Sequence, residues 1–513
     1  MLIFGGRASH WILLGAFLGA ILLFQLGTRG LNEPDEGRYA NIALESLEMD
    51  HPWWEPQVAD VGHYDKPPLT YWISALGYEI FGVNAWGARL PSFLGALLTL
   101  AGVGWMAFRR YGAQAAWLAV LVAGTLFQIW LWGRLLSCDM LLTGWCTLAI
   151  AAWAETRHRH GSYAAWVWQI LFWSLAGWTK ATPALIPMLG LAIYVYAAGD
   201  AEDRRALKLP FLLPLVILGS IPWYVIVLES HPGLYNFFFH RELVQRLSGH
   251  IDGRAGPIYY YLPLCLLGWL PWWPLAGAAL LRQWSALRRE NWRSLLSPGL
   301  CLVLTGFVIF SLVGSKHATY LLPFAPWAAL EISRLLGRDP LLRRPAVILP
   351  VAGVAAGVYL TVVALIPGRE SQMGMHSSLR EVADILRQHH AGDVYSDHFW
   401  PSLEVYYGEK IHFAEAAPEE TYDRADEPDE HFGFNDQASL AGRWFVHFRK
   451  EKDPEFRRWL NNPNVSKIVV GDFIVGPMTP PAWAAFEAPG SGKRMLADGK
   501  FHLLPQAAGK TLR

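Results

Sequence analysis

Apolar runs of roughly 17–25 residues recur through the first 366 positions, and that is the length a helix needs to cross a bilayer. On hydropathy they fall near 11–27, 87–108, 113–132, 138–154, 163–179, 182–198, 209–229, 258–281, 297–314, 319–337 and 345–366, about eleven spans. The composition agrees: 53% of the 513 residues are hydrophobic and only 17% charged, less charge than a soluble chain of this length carries. A large soluble protein with buried helices is the weak alternative. The formal net charge is zero, which gives no reason to expect a nucleic-acid partner. The stretch from Trp11 to Gly27 follows Arg7 and could open like a signal peptide. It is long for one and no small-residue cleavage site follows, so a retained first span is expected.

Charge placement gives the orientation. Alternate loops carry Arg109 and Arg110; Arg157 and Arg159; Arg204, Arg205 and Lys208; Arg282, Arg288, Arg289 and Arg293; and Arg334, Arg338, Arg343 and Arg344. These loops and the N-terminus are expected on the cytoplasmic side. Treating 69–82 as a full span would reverse every later loop, so that short stretch reads as interfacial or re-entrant. The outward set is then 28–86, 133–137, 180–181, 230–257, 315–318 and everything after 366. Residues 1–366 form the expected membrane domain, with amphipathic helices in the outer loop 28–86. Residues 367–513 are polar. Helix-like "SLREVADILRQHH" and "DPEFRRWLNN" alternate there with strand-like "KIHFAEA", "RWFVHF" and "SKIVVGDF", the pattern of a small α/β domain. The acidic run 415–430 reads as a solvated loop. Cys138, Cys146, Cys265 and Cys301 all lie in or beside apolar runs, so no disulfide framework or cysteine metal site is expected.

The outward loops hold the unusual residues. Glu33, Asp35 and Glu36 gather where the first span ends. Asp35 opens a stretch in which Tyr39, Ile42, Ala43 and Leu47 share one helical face, and an ordinary cap is the plain explanation for it. Lys66 precedes two prolines and is therefore displayed on an extended segment; a snorkelling lysine is the plain alternative. Asp139 begins a span, where an acid is a functional candidate by default, although capping again competes and Ser137 could cap instead. The loop "NFFFHRELVQRLSGH" carries Arg246, and "GSKHATYLLP" carries Lys316 and Tyr320. Fixed cations can hold a phosphate, and a carboxylate can orient or deprotonate an attacking group. Acids and bases on one side of a bilayer point to chemistry on a lipid-linked phosphate.

"EPDEGRYA", "YDKPPLTYW", "VQRLS" and "SKHATYLLP" together resemble the lipid A aminoarabinose transferases and the wider bacterial relatives of protein mannosyltransferases with the GT-C fold. The resemblance spans about residues 10–340 and is strongest in 32–92. It implies an all-α polytopic membrane protein of about 11–13 transmembrane helices with a small C-terminal periplasmic α/β domain. It implies an inverting glycosyltransferase that takes a sugar from polyprenyl (undecaprenyl) phosphate. The acceptor would lie at the periplasmic face of the bacterial inner membrane and be lipid A, a related glycolipid or a protein.

By the same resemblance Asp35 and Asp139 are catalytic. Lys66, Arg246 and Lys316 hold the donor phosphate, and Glu36, Arg38, Tyr39 and Tyr320 contact substrate. Some relatives carry a zinc near the first-loop acid, which gives a divalent metal, zinc or magnesium, as a cofactor to test at Asp65. This sequence has Asp65 where those transferases usually have Glu, and Asn32 where close relatives often have Asp. A protein O-glycosyltransferase of the same fold is the nearest alternative. A lipid-linked sugar transporter or flippase is the alternative from another class. It fits less well, because transporters place ionisable groups near the midplane, often with inverted repeats, and no repeat is visible here. A mere membrane anchor for the tail would not need the outer acids and bases.

Overall fold

A computed structural model describes residues 5–48, 51–58, 61–240, 256–289, 295–366, 379–396, 400–413, 443–448, 463, 467–470, 473–477, 493–495 and 501–503. The chain forms two compact units. One comprises residues 1–26, 65–77 and 86–365; the other comprises 27–64, 78–85 and 366–513. The outer loop, read from sequence as part of the membrane domain, is thus mostly grouped with the polar tail.

The first unit is built of apolar helices. Among the described residues, three are able by length and composition to cross a membrane: Leu90–Tyr111, Tyr163–Ala197 and Pro345–Leu365. Two bent pairs, Ala201–Ser220 with Pro222–Ser230 and Tyr261–Gly268 with Trp272–Leu287, raise the number to five. Ala8–Leu23, Ala113–Gly124 and Pro298–Leu312 are shorter and apolar. Eleven apolar runs are therefore not eleven unbroken helices. Proline explains part of the difference, since it removes a backbone donor and clashes with the preceding turn. Pro222 and Pro271 stand at the two bends. Residues 69–82, read as interfacial or re-entrant, form the 13-residue helix Leu69–Phe81, about 20 Å long and too short to span.

Large side chains lie on both sides of this bundle. Trp153, Trp173, Trp223, Trp272 and Trp327 are fully buried, whereas Ile12, Phe211 and Leu281 are exposed, as expected of helices solvated by lipid. Helices Leu90–Tyr111 and Cys138–His158 run parallel. Ser92 donates to the Ser137 carbonyl at one end (3.2 Å), and Arg109 pairs with Glu155 at the other (2.6 Å). A Cβ on Gly95 would strike the Met140 backbone, so glycine there permits the close approach.

The 35-residue element Tyr163–Ala197 doubles back at Lys180, whose φ/ψ of −166°/93° is extended rather than helical. Both of its ends lie near Glu155. Gln169 donates to Thr156 Oγ1 (2.9 Å), while Tyr194 accepts from Arg110 (2.6 Å) and packs edge-on against Trp153. The two arms correspond to the runs 163–179 and 182–198, and the turn between them sits at the Asp139 end.

The second unit contains a five-stranded sheet in the order Ile411–Phe413, Val394–Ser396, Trp444–Phe448, Phe473–Pro477, Ile468–Val470. The first three strands are parallel and the last two pairings antiparallel. Helix Leu379–Gln388 and three of the strand-like stretches fall where the sequence puts them. Residues 453–462 and the acidic run 415–430 lie outside the described residues. Helix Pro401–Tyr407 and strand Val394–Ser396 carried no sequence signal that was read.

Candidate functional site

In the second unit, helix Asp35–Glu48 buries the face expected of it. Ile42 and Ala43 are fully enclosed and Tyr39 nearly so. Asp35 is the first helical residue, with Glu36 beside it in a turn where negative charge is favoured. The Asn32 carbonyl accepts from Glu36 N (2.9 Å), and the Glu36 carboxylate accepts in return from Asn32 N (2.9 Å) and from Arg29 (3.1 Å). Glu36 thus closes the helix start rather than facing outward. Asp35 behaves differently: its side chain is 61% exposed, and Oδ1 accepts from Arg38 at 2.8 Å. Of this group, Asp35 is the carboxylate open to a reactant. Arg38 and Tyr39 are buried.

The same helix is tied to the tail's helix Pro401–Tyr407. Asn41 donates to Glu404 (2.6 Å), Leu31 N to Tyr406 Oη (2.6 Å), and Ser402 N to Glu33 Oε1 (2.8 Å). The other Glu33 oxygen is shut off from solvent and has no hydrogen-bond partner among the described residues. A Cβ on Gly37 would collide with this carboxyl, so the glycine makes room for it. Burial pushes the Glu33 pKa up from 4.5 to about 7, against the pull of the Ser402 hydrogen bonds and Arg38. The folded chain therefore holds this proton more tightly than the unfolded chain. Stability is full below the unfolded value and falls as pH rises towards about 7. Glu33→Gln should remove that fall. We expect the variant to lie within about 0.5 kcal/mol of the wild type near pH 4.5 and to exceed it by on the order of 3 kcal/mol at pH 8, the worth of a shift from 4.5 to about 7. Denaturation across pH checks this; parallel curves for both proteins would refute it.

The first unit holds the second acid. Ser137 is the N-cap of helix Cys138–His158, its Oγ accepting from Asp139 N at 3.1 Å, so Asp139 is released from capping. Asp139 Oδ1 accepts from Lys180 at 2.8 Å and Oδ2 from Thr319 Oγ1 at 2.8 Å. His317 lies 2.7 Å from Thr319 Oγ1, and the Lys180 ammonium sits 5.4 Å from the centre of the Tyr320 ring. Asp139, Lys180 and Tyr320 are all buried. Lys180 went unassigned in the sequence reading, yet it is the sole charged residue between Arg159 and Asp200 and stands in the turn 180–181.

Asp65 and Lys66 pair with one another and lie close enough to Cys138 and Lys180 to act on them electrostatically. Lys316, expected on the donor phosphate, turns its ammonium onto the carbonyls of Phe310, Ser311 and Val313 (2.8, 2.7 and 2.6 Å). An ammonium has three protons, so this lysine is occupied in closing the end of helix Pro298–Leu312. Burial also lowers its pKa. Arg246 lies outside the described residues. Among the described residues no three His, Cys, Asp or Glu side chains gather as a metal set. The Asp65 carboxylate faces Lys66 instead. The residues described do not fit a metal at Asp65, and no step below passes through one.

Residues 65–226 match the model of the dolichyl-phosphate-mannose-protein mannosyltransferase family. The chain is 30% identical over 351 residues to the undecaprenyl phosphate-alpha-4-amino-4-deoxy-L-arabinose arabinosyl transferase of Edwardsiella ictaluri, covering 65% of this chain and 61% of that protein. A Pseudomonas fluorescens enzyme of the same description is 33% identical over 334 residues, covering 64% of this chain and 59% of the relative. The matches thus span about three-fifths of the length of these relatives. The crystal structure of ArnT from Cupriavidus metallidurans bound to undecaprenyl phosphate superposes with a TM-score of 0.74 at 23% identity, over 91% of this chain and 98% of that one.

The fold is that of the ArnT crystal structure, a bundle of apolar helices with a small C-terminal sheet. In sequence the chain is similar to the aminoarabinose transferases over about three-fifths of their length, and residues 65–226 match the mannosyltransferase family model.

Proposed function

We propose that the protein is an inverting glycosyltransferase. It moves a sugar from a polyprenyl-phosphate donor to an acceptor at the periplasmic face of a bacterial inner membrane, the acceptor being lipid A or a related glycolipid. The observation that carries the reading is the clustering of Asp139, Lys180, Thr319 and Tyr320 at one end of the helices, with Lys66 close by. The names of the similar transferases support the donor class. The sidedness rests on charge: Arg109, Arg157 and Arg159 lie at the opposite, Glu155 end, which the positive-inside rule assigns to the cytoplasm.

In the proposed reaction an acceptor oxygen bonds to the anomeric carbon from the face opposite the phosphate. The carbon–oxygen bond to the phosphate breaks, and polyprenyl phosphate departs with the electron pair. Phosphate is already a competent leaving group, so the protein mainly neutralises its charge and positions the acceptor. Lys66 and Arg246 are the proposed phosphate ligands. Asp35 takes the proton of a hydroxyl acceptor, or orients a phosphate acceptor that has no proton to lose. Asp139, fixed by Lys180 and Thr319, holds that lysine in place and sets the local charge.

The test is the purified chain with a panel of undecaprenyl-phosphate sugars and lipid A, read by mass spectrometry. Product from one donor supports the reading; movement of a labelled donor across vesicles with no sugar transfer replaces it with a transporter. The mannosyltransferase family model also keeps a protein acceptor in view. Comparing lipid A with secreted glycoproteins from a deletion strain separates the two. Lys66→Ala should lower kcat/KM on the order of tenfold to a hundredfold, the worth of one charge-assisted hydrogen bond to phosphate. Unchanged donor kinetics would remove Lys66 from the phosphate site.

A further inference from the structure

A cavity of about 410 Å³ opens between the helices at the Glu155 end, far along the bundle from Asp139. Four small residues make it: Ala151 and Ala152 on helix Cys138–His158, and Ala164 and Ala165 where the first arm of Tyr163–Ala197 begins. Trp105 closes one side, and Trp168 and Phe172, stacked at 5.5 Å, close another. The volume falls within the range of ligand sites, and the lining is almost entirely apolar. Of the lining residues, Trp105 and Trp168 expose large apolar surfaces. On a helix bundle of this class such a surface faces acyl chains, and tryptophan favours the headgroup level.

One end of the cavity is charged. Glu155 lines it and accepts from Arg109 through both nitrogens that reach it (2.6 and 3.0 Å), from Trp105 Nε1 (3.1 Å) and from Arg159. Two guanidinium groups thus face one carboxylate, leaving one positive charge. Arg159 keeps 61% of its side chain exposed and has donors to spare. The neighbouring Arg157 does not contribute, being held by Asp200 and Asp203 (2.7 and 2.6 Å). An apolar slot between spans that ends in one uncompensated positive charge is complementary to a single amphiphile with one negative charge.

We propose that this cavity binds an anionic glycerophospholipid of the leaflet at the Glu155 end, one acyl chain lying between the helices and the phosphodiester on Arg159. A phosphodiester carries the single charge that the arginine pair leaves open. A polyprenyl phosphate monoester would bring close to two charges and leave one unmatched. Basic pockets between transmembrane helices recognise acidic headgroups by this means. The bound lipid would brace the contact between helix Cys138–His158 and the first arm, whose far end carries Lys180. The proposal does not depend on the reaction assigned above.

The test uses the full chain, delipidated in detergent and titrated with phosphatidylglycerol, phosphatidylethanolamine and undecaprenyl phosphate, with bound lipid read by native mass spectrometry. The wild type should keep one phosphatidylglycerol about fivefold more tightly than phosphatidylethanolamine, the worth of one basic contact near a headgroup. Ala152→Phe, which fills the slot, should abolish that adduct. Arg159→Gln lies on the surface and leaves the fold intact; it should bind both phospholipids equally. The proposal is overturned if Arg159→Gln keeps the preference, if folded Ala152→Phe retains the adduct, or if the wild type does not discriminate. Displacement of phosphatidylglycerol by equimolar undecaprenyl phosphate would also overturn it and assign the slot to the polyprenyl lipid.

Discussion

Lys180→Met is expected to destabilise the protein by about 3–5 kcal/mol. The substitution keeps much of the side chain's length and apolar bulk while removing its charge. What remains is Asp139, buried with only hydroxyl partners such as Thr319, and a buried carboxylate without a counter-ion is costly whether it stays charged or must take up a proton. The partner substitution shows that the pair, rather than the lysine alone, is responsible. Asp139→Asn in the Lys180→Met background should recover a large part of the loss, because the uncompensated charge is then gone. Reversible unfolding in mixed detergent gives all four corners of the cycle. A loss below 1 kcal/mol for Lys180→Met, or no recovery in the double variant, would mean that the contact is not a buried ion pair. Since Lys180 stands where the two arms reverse, the variant should also lose sugar transfer.

Asp35→Asn is expected to lower kcat by about 10² to 10⁴ with a hydroxyl acceptor, the usual contribution of a positioned base. The side chain is largely exposed and its partner is Arg38, so the fold should tolerate the change within about 1 kcal/mol, mostly the lost charge at the helix start. Stability and activity therefore separate at this position, whereas at Lys180 they fall together. With a phosphate acceptor no proton need be taken, and the loss should be less than about tenfold. The size of the effect thus reports the acceptor class. Near-normal turnover of a hydroxyl acceptor by folded Asp35→Asn would remove Asp35 from the mechanism.

Much of the architecture was readable from the chain alone, because periodicity and charge report directly on solvent. Apolar runs locate the apolar helices, three to five of which among the described residues are long enough to span, and the polar tail holds the small sheet. The short stretch 69–82, kept from the list of spans by its length, forms the 13-residue helix Leu69–Phe81. The buried face of helix Asp35–Glu48 followed from Tyr39, Ile42 and Ala43. Ser137 was the right competitor to Asp139 for the cap. The turn at 180–181 was read as the gap between the runs 163–179 and 182–198, although neither Lys180 nor its partner was singled out.

Partners across the chain were decided only by the tertiary structure. Glu33 looked like one more acid at a lipid surface, yet it is enclosed against Ser402, 369 positions away. Lys316 looked like a phosphate ligand and instead closes a helix end, because free carbonyls there compete for its protons. The breaks at Pro222 and Pro271 turned expected spans into bent pairs. A sequence determines which surfaces a segment must hide and where its charges can be tolerated, since those follow from the transfer of each residue between water and lipid. Which acid meets which base depends on how independently formed helices pack, and no local pattern encodes that.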